Sequence, residues 1–140
     1  MERREFIKTS CVICLTGSAA ATISTLLSSC APLPVYSTKA DHGTIAVPLS
    51  ALNNGNIQII RVQDILYDIA LKKENNGMYS AFPLLCTHAS NPLTLSGGKF
   101  LCSLHGSTFD QEGKVIHGPA AKPLLHLKTR LTTECIIISL

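Results

Sequence analysis

Cys86-Thr87-His88 and, sixteen positions later, Cys102-Ser103-Leu104-His105-Gly106-Ser107-Thr108-Phe109 are the stretches on which the reading of this chain turns. Each offers one thiol and one imidazole, followed by residues suited to a tight loop rather than a helix. Two Cys and two His held by paired loops bind a metal centre with sulfur on one side and nitrogen on the other. Two kinds of centre take such a set. Structural zinc closes a tetrahedron of Cys and His, whereas in some binuclear iron–sulfur centres two His replace two Cys on one iron. A zinc finger segregates its Cys pair from its His pair. Here Cys and His alternate within each loop, which suits two irons, one taking both thiolates and the other both imidazoles.

The second loop continues through Asp110-Gln111-Glu112-Gly113-Lys114-Val115 and then Gly118-Pro119-Ala120-Ala121-Lys122-Pro123-Leu124. With Cys86-Thr87-His88 upstream, this run closely resembles the Rieske family pattern C-T-H and C-x-x-H-G-S-x-F-D-x-x-G-x-V-x-x-G-P-A-x-x-P-L. The resemblance covers most of residues 80–125. It implies a [2Fe–2S] cluster with Cys86 and Cys102 on the inner iron and His88 and His105 on the outer iron, near the surface. It also implies that Gly106 lets the backbone pass close to the cluster, lacking a Cβ to obstruct it. Ser107 would donate to a bridging sulfide, and Gly118, Pro119 and Ala120 would form the proline-containing loop that keeps water off. Hydrogen bonds to sulfur and exclusion of solvent set such a cluster's potential.

Three departures from the family's quinol-oxidising members bear on that potential. Those members usually join the two loops by a disulfide, but the matching positions here are Asn91 and Leu104. They place a Tyr hydroxyl two positions after the Ser, where this chain has Phe109. The interval from His88 to Cys102 is also short. Each lost donor destabilises the reduced, more negative cluster, so the expected potential lies below that of the ubiquinol-oxidising members. Ser107 should hold it above the simplest ferredoxin-like ones.

Toward the amino terminus, Arg3-Arg4-Glu5-Phe6-Ile7-Lys8 reads as a twin-arginine export motif, and the chain then runs without a charge from Thr9 to Thr38. Its apolar part is only moderately hydrophobic, as in an export signal rather than a strong membrane span. Twin-arginine export moves folded proteins, which suits a cofactor inserted before crossing. Leu27-Ser28-Ser29-Cys30 resembles a lipobox, with Cys30 the lipidated residue; the alternative is an uncleaved signal anchor. Either way the domain is tethered at the outer, periplasmic face of a membrane, and acyl chains would hold it by roughly 0.8 kcal/mol per buried CH2. The expected organisation is an export signal over residues 1–30, a Pro-containing linker over 31–43 and a cluster domain over 44–140.

Residues 31–140 suffice for one small domain. Trp is absent and aromatics are few, so the core must come from Leu, Ile, Val and Ala. Nine Lys and Arg against seven Asp and Glu leave that part at a net of about +2, too mild for a nucleic-acid surface, and no basic helix appears. The β-branched runs Thr44–Val47 and Ile57–Val62 read as strands about an Asn53–Asn56 turn. Ile65 to Leu71 alternates less cleanly and precedes an Asn76-Gly77 hairpin signal. Met78 to Leu85 should lead into the first cluster loop and Lys99 to Leu101 into the second, after a Ser96-Gly97-Gly98 turn. Leu124 to Leu127 and Cys135 to Leu140 should close the sheet. The fold expected is all-β, an antiparallel Rieske-type β-sandwich with a small cluster-binding subdomain.

The remaining Cys and His carry less. Cys11 and Cys14 fall inside the signal, Cys135 reads as a small buried hydrophobe, and His42, His117 and His126 read as linker, loop and strand residues. No nucleophile–base pair or phosphate loop points to an enzyme with its own substrate site. The expected role is one-electron transfer, as a carrier or as a subunit beside a quinol-oxidising cytochrome complex, a molybdenum oxidoreductase such as an arsenite oxidase, or another cytochrome. His88 and His105 would be the contact point, with Leu104, Pro119 and Ala120 as an apolar rim. A zinc-stabilised binding module without redox activity is the alternative.

Overall fold

The computed structural model describes residues 34–140. The twin-arginine motif, Cys11, Cys14 and Cys30 lie outside the described residues. Within them the chain forms β1 (Val35–Thr38), β2 (Thr44–Pro48), β3 (Ile57–Val62), β4 (Asp68–Lys73), β5 (Tyr79–Pro83), β6 (Thr94–Ser96), β7 (Lys99–Leu101), β8 (Thr108–Phe109), β9 (Val115–His117), β10 (Lys128–Leu131) and β11 (Cys135–Ser139). Helical structure among the described residues is the single 3-10 turn Leu49–Ala51, and no helix there is long and apolar enough to cross a membrane.

Three sheets stack in layers. The central one has the order β1-β3-β4-β5; a three-stranded sheet, β10-β11-β2, covers one face and the four-stranded β6-β7-β8-β9 covers the other. Successive side chains of a strand point to opposite faces, so β3 sends Ile60 and Val62 to one core and Ile59 to the other. Ile69 and Leu71 of β4 join Ile45, Val47, Ile136 and Ile138, while Ala70 meets Phe82, Phe100, Phe109 and Leu124. Each such buried Ile or Phe contributes roughly 1.5–3 kcal/mol. Burial on both faces explains why the stretch leading into β4 shows no clean apolar–polar alternation, whereas β2 and β11, with one face outward, alternate regularly.

Two stretches differ from the sequence expectation. Val35–Thr38, read as linker, is a strand paired parallel to β3, from Val35 opposite Ile59 to Thr38 opposite Val62. The buried Gln58 fastens its start, donating from Nε2 to the Pro34 carbonyl at 2.7 Å. An edge strand half open to water needs no apolar stripe, so composition alone does not reveal it. The closing strand likewise begins at Lys128 rather than Leu124, with only an isolated bridge between Ala81 and Leu127 before it. Leu124 instead turns inward beneath the cluster-side sheet, and exposed β10 carries Lys128 and Arg130.

The central and cluster-side sheets are also joined by charge. Lys72 on β4, 7% exposed, reaches Glu112 Oε1 at 2.7 Å and Glu74 Oε2 at 3.2 Å. Burial alone would lower the Lys72 pKa, but its bonds to the two carboxylates outweigh that and raise it. The same bond, chiefly the hydrogen bond from Lys72, holds the Glu112 carboxyl below its ordinary value of 4.5. A carboxyl depressed on folding contributes stability above its unfolded pKa, lost as pH falls through the folded one. Acid unfolding monitored below pH 4.5 should therefore be shallower for Glu112→Gln than for the native chain.

Candidate metal centre

Both candidate loops close on themselves in the same way. In the first, the Cys86 N–H donates to the Asn91 carbonyl and the Cys86 carbonyl accepts from the Ser90 N–H, each at 2.8 Å. In the second, the Cys102 N–H donates to the Ser107 carbonyl at 2.8 Å and the Cys102 carbonyl accepts from the Gly106 N–H at 3.0 Å. The residue four beyond each Cys turns the backbone through positive φ: Ser90 at 52° and Gly106 at 78°. Gly106 was legible in sequence. Ser90, a non-glycine in a conformation that L side chains seldom adopt, was not.

This shared frame sets the four side chains in depth. Cys86 and Cys102 are 2% and 3% exposed and belong to the core that includes Phe100 and Phe109. His88 and His105 stand at the surface with their rings nearly perpendicular at 82°, and their Nδ1 atoms are 3.2 Å apart. Two nitrogens on one tetrahedral ion, at metal–nitrogen distances of about 2.0–2.1 Å, would be about 3.3 Å apart. The imidazole pair is thus spaced to share one metal. The donors therefore form a buried thiol pair and a surface imidazole pair.

Burial by itself would push the Cys86 thiol up. Hydrogen bonds outweigh it, from the His88 N–H first, then the Ser107 hydroxyl, the Cys102 side chain and the Ala89 N–H, and the net shift is downward. Lowering favours the thiolate, the form in which Cys ligates metal. Ser107, 1% exposed, serves two sides, since its Oγ also accepts the Ala120 N–H at 3.1 Å.

Ala120 belongs to a third loop that braces the other two. Gly118, at φ 97°, lies so close to Ser107 that a Cβ there would fall 2.5 Å from the Ser107 Cα and 2.7 Å from its backbone nitrogen. The Thr87 hydroxyl donates to the Lys122 carbonyl at 2.6 Å. The first and second loops are therefore each tied to the third, through Thr87 and Ser107. Thr87 and the Gly118 contact were not singled out from sequence; the run of matching residues contained both, but only the contacts distinguish them.

Other expected residues are placed as follows. Phe109 is fully buried and pairs with Phe100 across β7 and β8. Leu104, 58% exposed, and Pro119 are exposed in the second and third loops, but Ala120 is 5% exposed and belongs to the core rather than the rim. Cys135 is half-buried beside the Thr132 hydroxyl, 3.3 Å from its sulfur, rather than fully buried. His117 ends β9, His42 is exposed near Asp41, and His126 lies outside the strands with its ring against the edge of Phe82.

The family model for the Rieske [2Fe–2S] domain matches residues 44–132. The chain is 40% identical over 52 residues to the cytochrome b6-f complex iron-sulfur subunit of Synechococcus elongatus, covering 36% of this chain and 29% of that subunit. Its counterpart from Chlorobaculum tepidum is 27% identical over 95 residues, 66% of this chain and 51% of the relative. The chain thus spans about half or less of the curated relatives it matches. Among solved structures it is similar to the plasma membrane Rieske protein PetC3 from Synechocystis PCC 6803, with a TM-score of 0.56 and 25% identity over 69% of this chain and 99% of that one. A quaternary ammonium Rieske monooxygenase shares the fold at 19% identity and TM-score 0.55, over 69% of this chain and 30% of the enzyme's.

Proposed function

This chain belongs to the Rieske [2Fe–2S] domain family, and from that premise we propose that Cys86 and Cys102 hold the inner iron of its cluster while His88 and His105 hold the outer one. A [2Fe–2S] cluster is the domain's cofactor and one-electron transfer its chemistry. The observation that carries the ligand assignment is the duplicated hydrogen-bond frame, which sets two buried thiols under two surface imidazoles whose Nδ1 atoms face each other.

When bound, the cluster supplies a site that gains or loses one electron. The protein's own groups do the rest. The N–H groups of His88 and Ala89 and the Ser107 hydroxyl surround the inner sulfur with donors, which stabilise negative charge there. Phe100, Phe109 and Ala120 exclude water from beneath and beside the thiols. The outward nitrogens of His88 and His105, left free when Nδ1 turns inward, can hold a proton or a hydrogen bond from a partner at the surface.

Function at the outer face of a membrane, after twin-arginine export and tethering at or near Cys30, completes the reading. Two of the similar proteins are cytochrome b6-f complex iron-sulfur subunits and a third is a plasma membrane Rieske protein, which supports a quinol-oxidising cytochrome complex as one partner. A molybdenum oxidoreductase or another cytochrome fits the same site. With Asn91, Leu104 and Phe109 in place of the disulfide and the Tyr donor, the potential should fall below that of the ubiquinol-oxidising members.

An EPR-monitored redox titration of the full-length holoprotein tests this. A rhombic signal of mixed His and Cys ligation is expected; a colourless, EPR-silent protein containing zinc would overturn it. The same titration on Ser107→Ala should show a lower potential. Losing a hydrogen bond of about 1–1.5 kcal/mol corresponds to about 40–65 mV for one electron, with the signal shape retained.

A further inference from the structure

The two Cys and two His sit on separate parts of the fold, and β4 touches both. The first loop grows from the central sheet. Leu84, two residues before Cys86, donates its N–H to the Asp68 carbonyl of β4 at 2.8 Å, and its own carbonyl accepts the Leu93 N–H from the far side of the loop at 2.9 Å. Cys102 and His105 belong instead to the cluster-side sheet, between β7 and β8, and the hairpin of β8 and β9 joins their loop to the third. The turn of that hairpin lies at the end away from both loops. It is a stiff unit, because the Asp110 carboxylate accepts the N–H of Glu112 at 3.0 Å and of Lys114 at 2.8 Å.

The other end of β4 meets this turn. Side chains alternate along a strand, so Lys72 faces the cluster-side sheet as Ala70 does. Four residues beyond Asp68, or about 13 Å at about 3.3 Å each, its Nζ reaches Glu112 Oε1 at 2.7 Å. Glu74, at 3.2 Å, belongs to Lys72's own segment, so Glu112 is the partner that crosses between sheets. A lysine only 7% exposed is costly without a carboxylate, which holds the side chain to this geometry. The turn also packs on the central sheet, where a Cβ at Gly113 would stand 3.0 Å from the Phe82 ring. Apolar contact of that kind is non-directional; the Lys72 bond supplies direction. With Thr87 and Ser107 tying the loops together at the opposite end, the hairpin is pinned at both.

We propose that Lys72 is a positioning residue for the metal centre: by gripping Glu112 it fixes the hairpin behind Cys102 and His105 against the strand that anchors Cys86 and His88, and so governs how firmly the four side chains retain the cluster. The proposal rests on the ligand assignment made above.

The test is cluster release from full-length holoprotein in excess EDTA at neutral pH, followed by visible absorbance. Lys72→Met and Glu112→Ala should each release the cluster about tenfold faster than the native chain, the low end of what supporting groups around a metal site are worth. The double variant should be no faster than either, and Glu74→Ala, which leaves the bond between sheets intact, should match the native chain. Replacing a buried ion-paired group by an apolar one of similar volume is often neutral for stability, so the denaturant midpoint of Lys72→Met should stay near the native one while release changes. Amide exchange gives a second readout: the Leu124 N–H, bonded to the Gly113 carbonyl at the turn, should exchange severalfold faster in Lys72→Met, and the Leu93 N–H should not. Native release rates in Lys72→Met and Glu112→Ala, or Glu74→Ala as fast as Glu112→Ala, would overturn the proposal and leave the ligand assignment standing. A native chain without the mixed-ligand EPR signal would sink that assignment and the proposal with it.

Discussion

Cys102→Ser should abolish the cluster. A serine hydroxyl is not ionised near neutral pH and does not replace a thiolate on iron, and among the described residues no spare thiol adjoins Cys102. Cys135, the other free cysteine described, lies on β11 in the sheet across the domain. Outer-sphere changes alone cost about ten- to a hundredfold in metal affinity, so loss of a ligand should cost more than about a hundredfold. Bound iron and visible absorbance should both disappear, while Cys135→Ser should retain them. Iron content and absorbance of the two purified variants give the answer, and equal iron in both would overturn the assignment of Cys102. Because the thiols share a core with Phe100 and Phe109, the cluster-free variant should also unfold at lower temperature.

Gly118→Ala should destabilise the domain by more than about 3 kcal/mol, among the larger effects of a single substitution. The added Cβ would stand 2.5 Å from the Ser107 Cα, 2.7 Å from its nitrogen and 2.9 Å from the Gly106 carbonyl oxygen. All three are backbone atoms of the second loop, so no side chain can swing aside. Relief requires the third loop to lift, which would stretch the Ala120 bond to Ser107 and admit water beside the cluster. Gly77→Ala, in the turn between β4 and β5 and outside the ligand loops, is the matched control. It has a similar positive φ, 81°, but no atom within 4 Å of the added Cβ, so only the backbone strain of about 1–2 kcal/mol applies. Denaturant midpoints should separate the two variants clearly; equal losses would mean that the contact with Ser107 is not what demands glycine at position 118.

The candidate site was legible because it is written in residue types that have few substitutes. Cys and His pairs, a glycine at positive φ and a proline loop leave letters in the chain, and their spacing marks the loops that carry them. Backbone-mediated features leave none. Ser90 adopts the same turn as Gly106 without a glycine to announce it, and Val35–Thr38 joins the sheet through main-chain bonds that any side chain could accompany. The two-sided burial of β4 hid its boundaries by removing the alternation on which the eye relies. Lys72 left no signal either: a lysine belongs by default at the surface, and only two carboxylates from separate segments let it lie nearly buried.

The matching hydrogen-bond frames of the two ligand loops have a consequence for assembly. Each frame is complete without iron, since the main-chain bonds of Cys86 and Cys102 run within their own loops. The conformational entropy of those backbones is therefore lost during folding, and cluster insertion inherits a cradle already shaped. Insertion should then resemble loading a finished socket, fast and with little change in secondary structure, rather than a metal-driven collapse. A chain built this way can be checked for occupancy before it is committed to any later step.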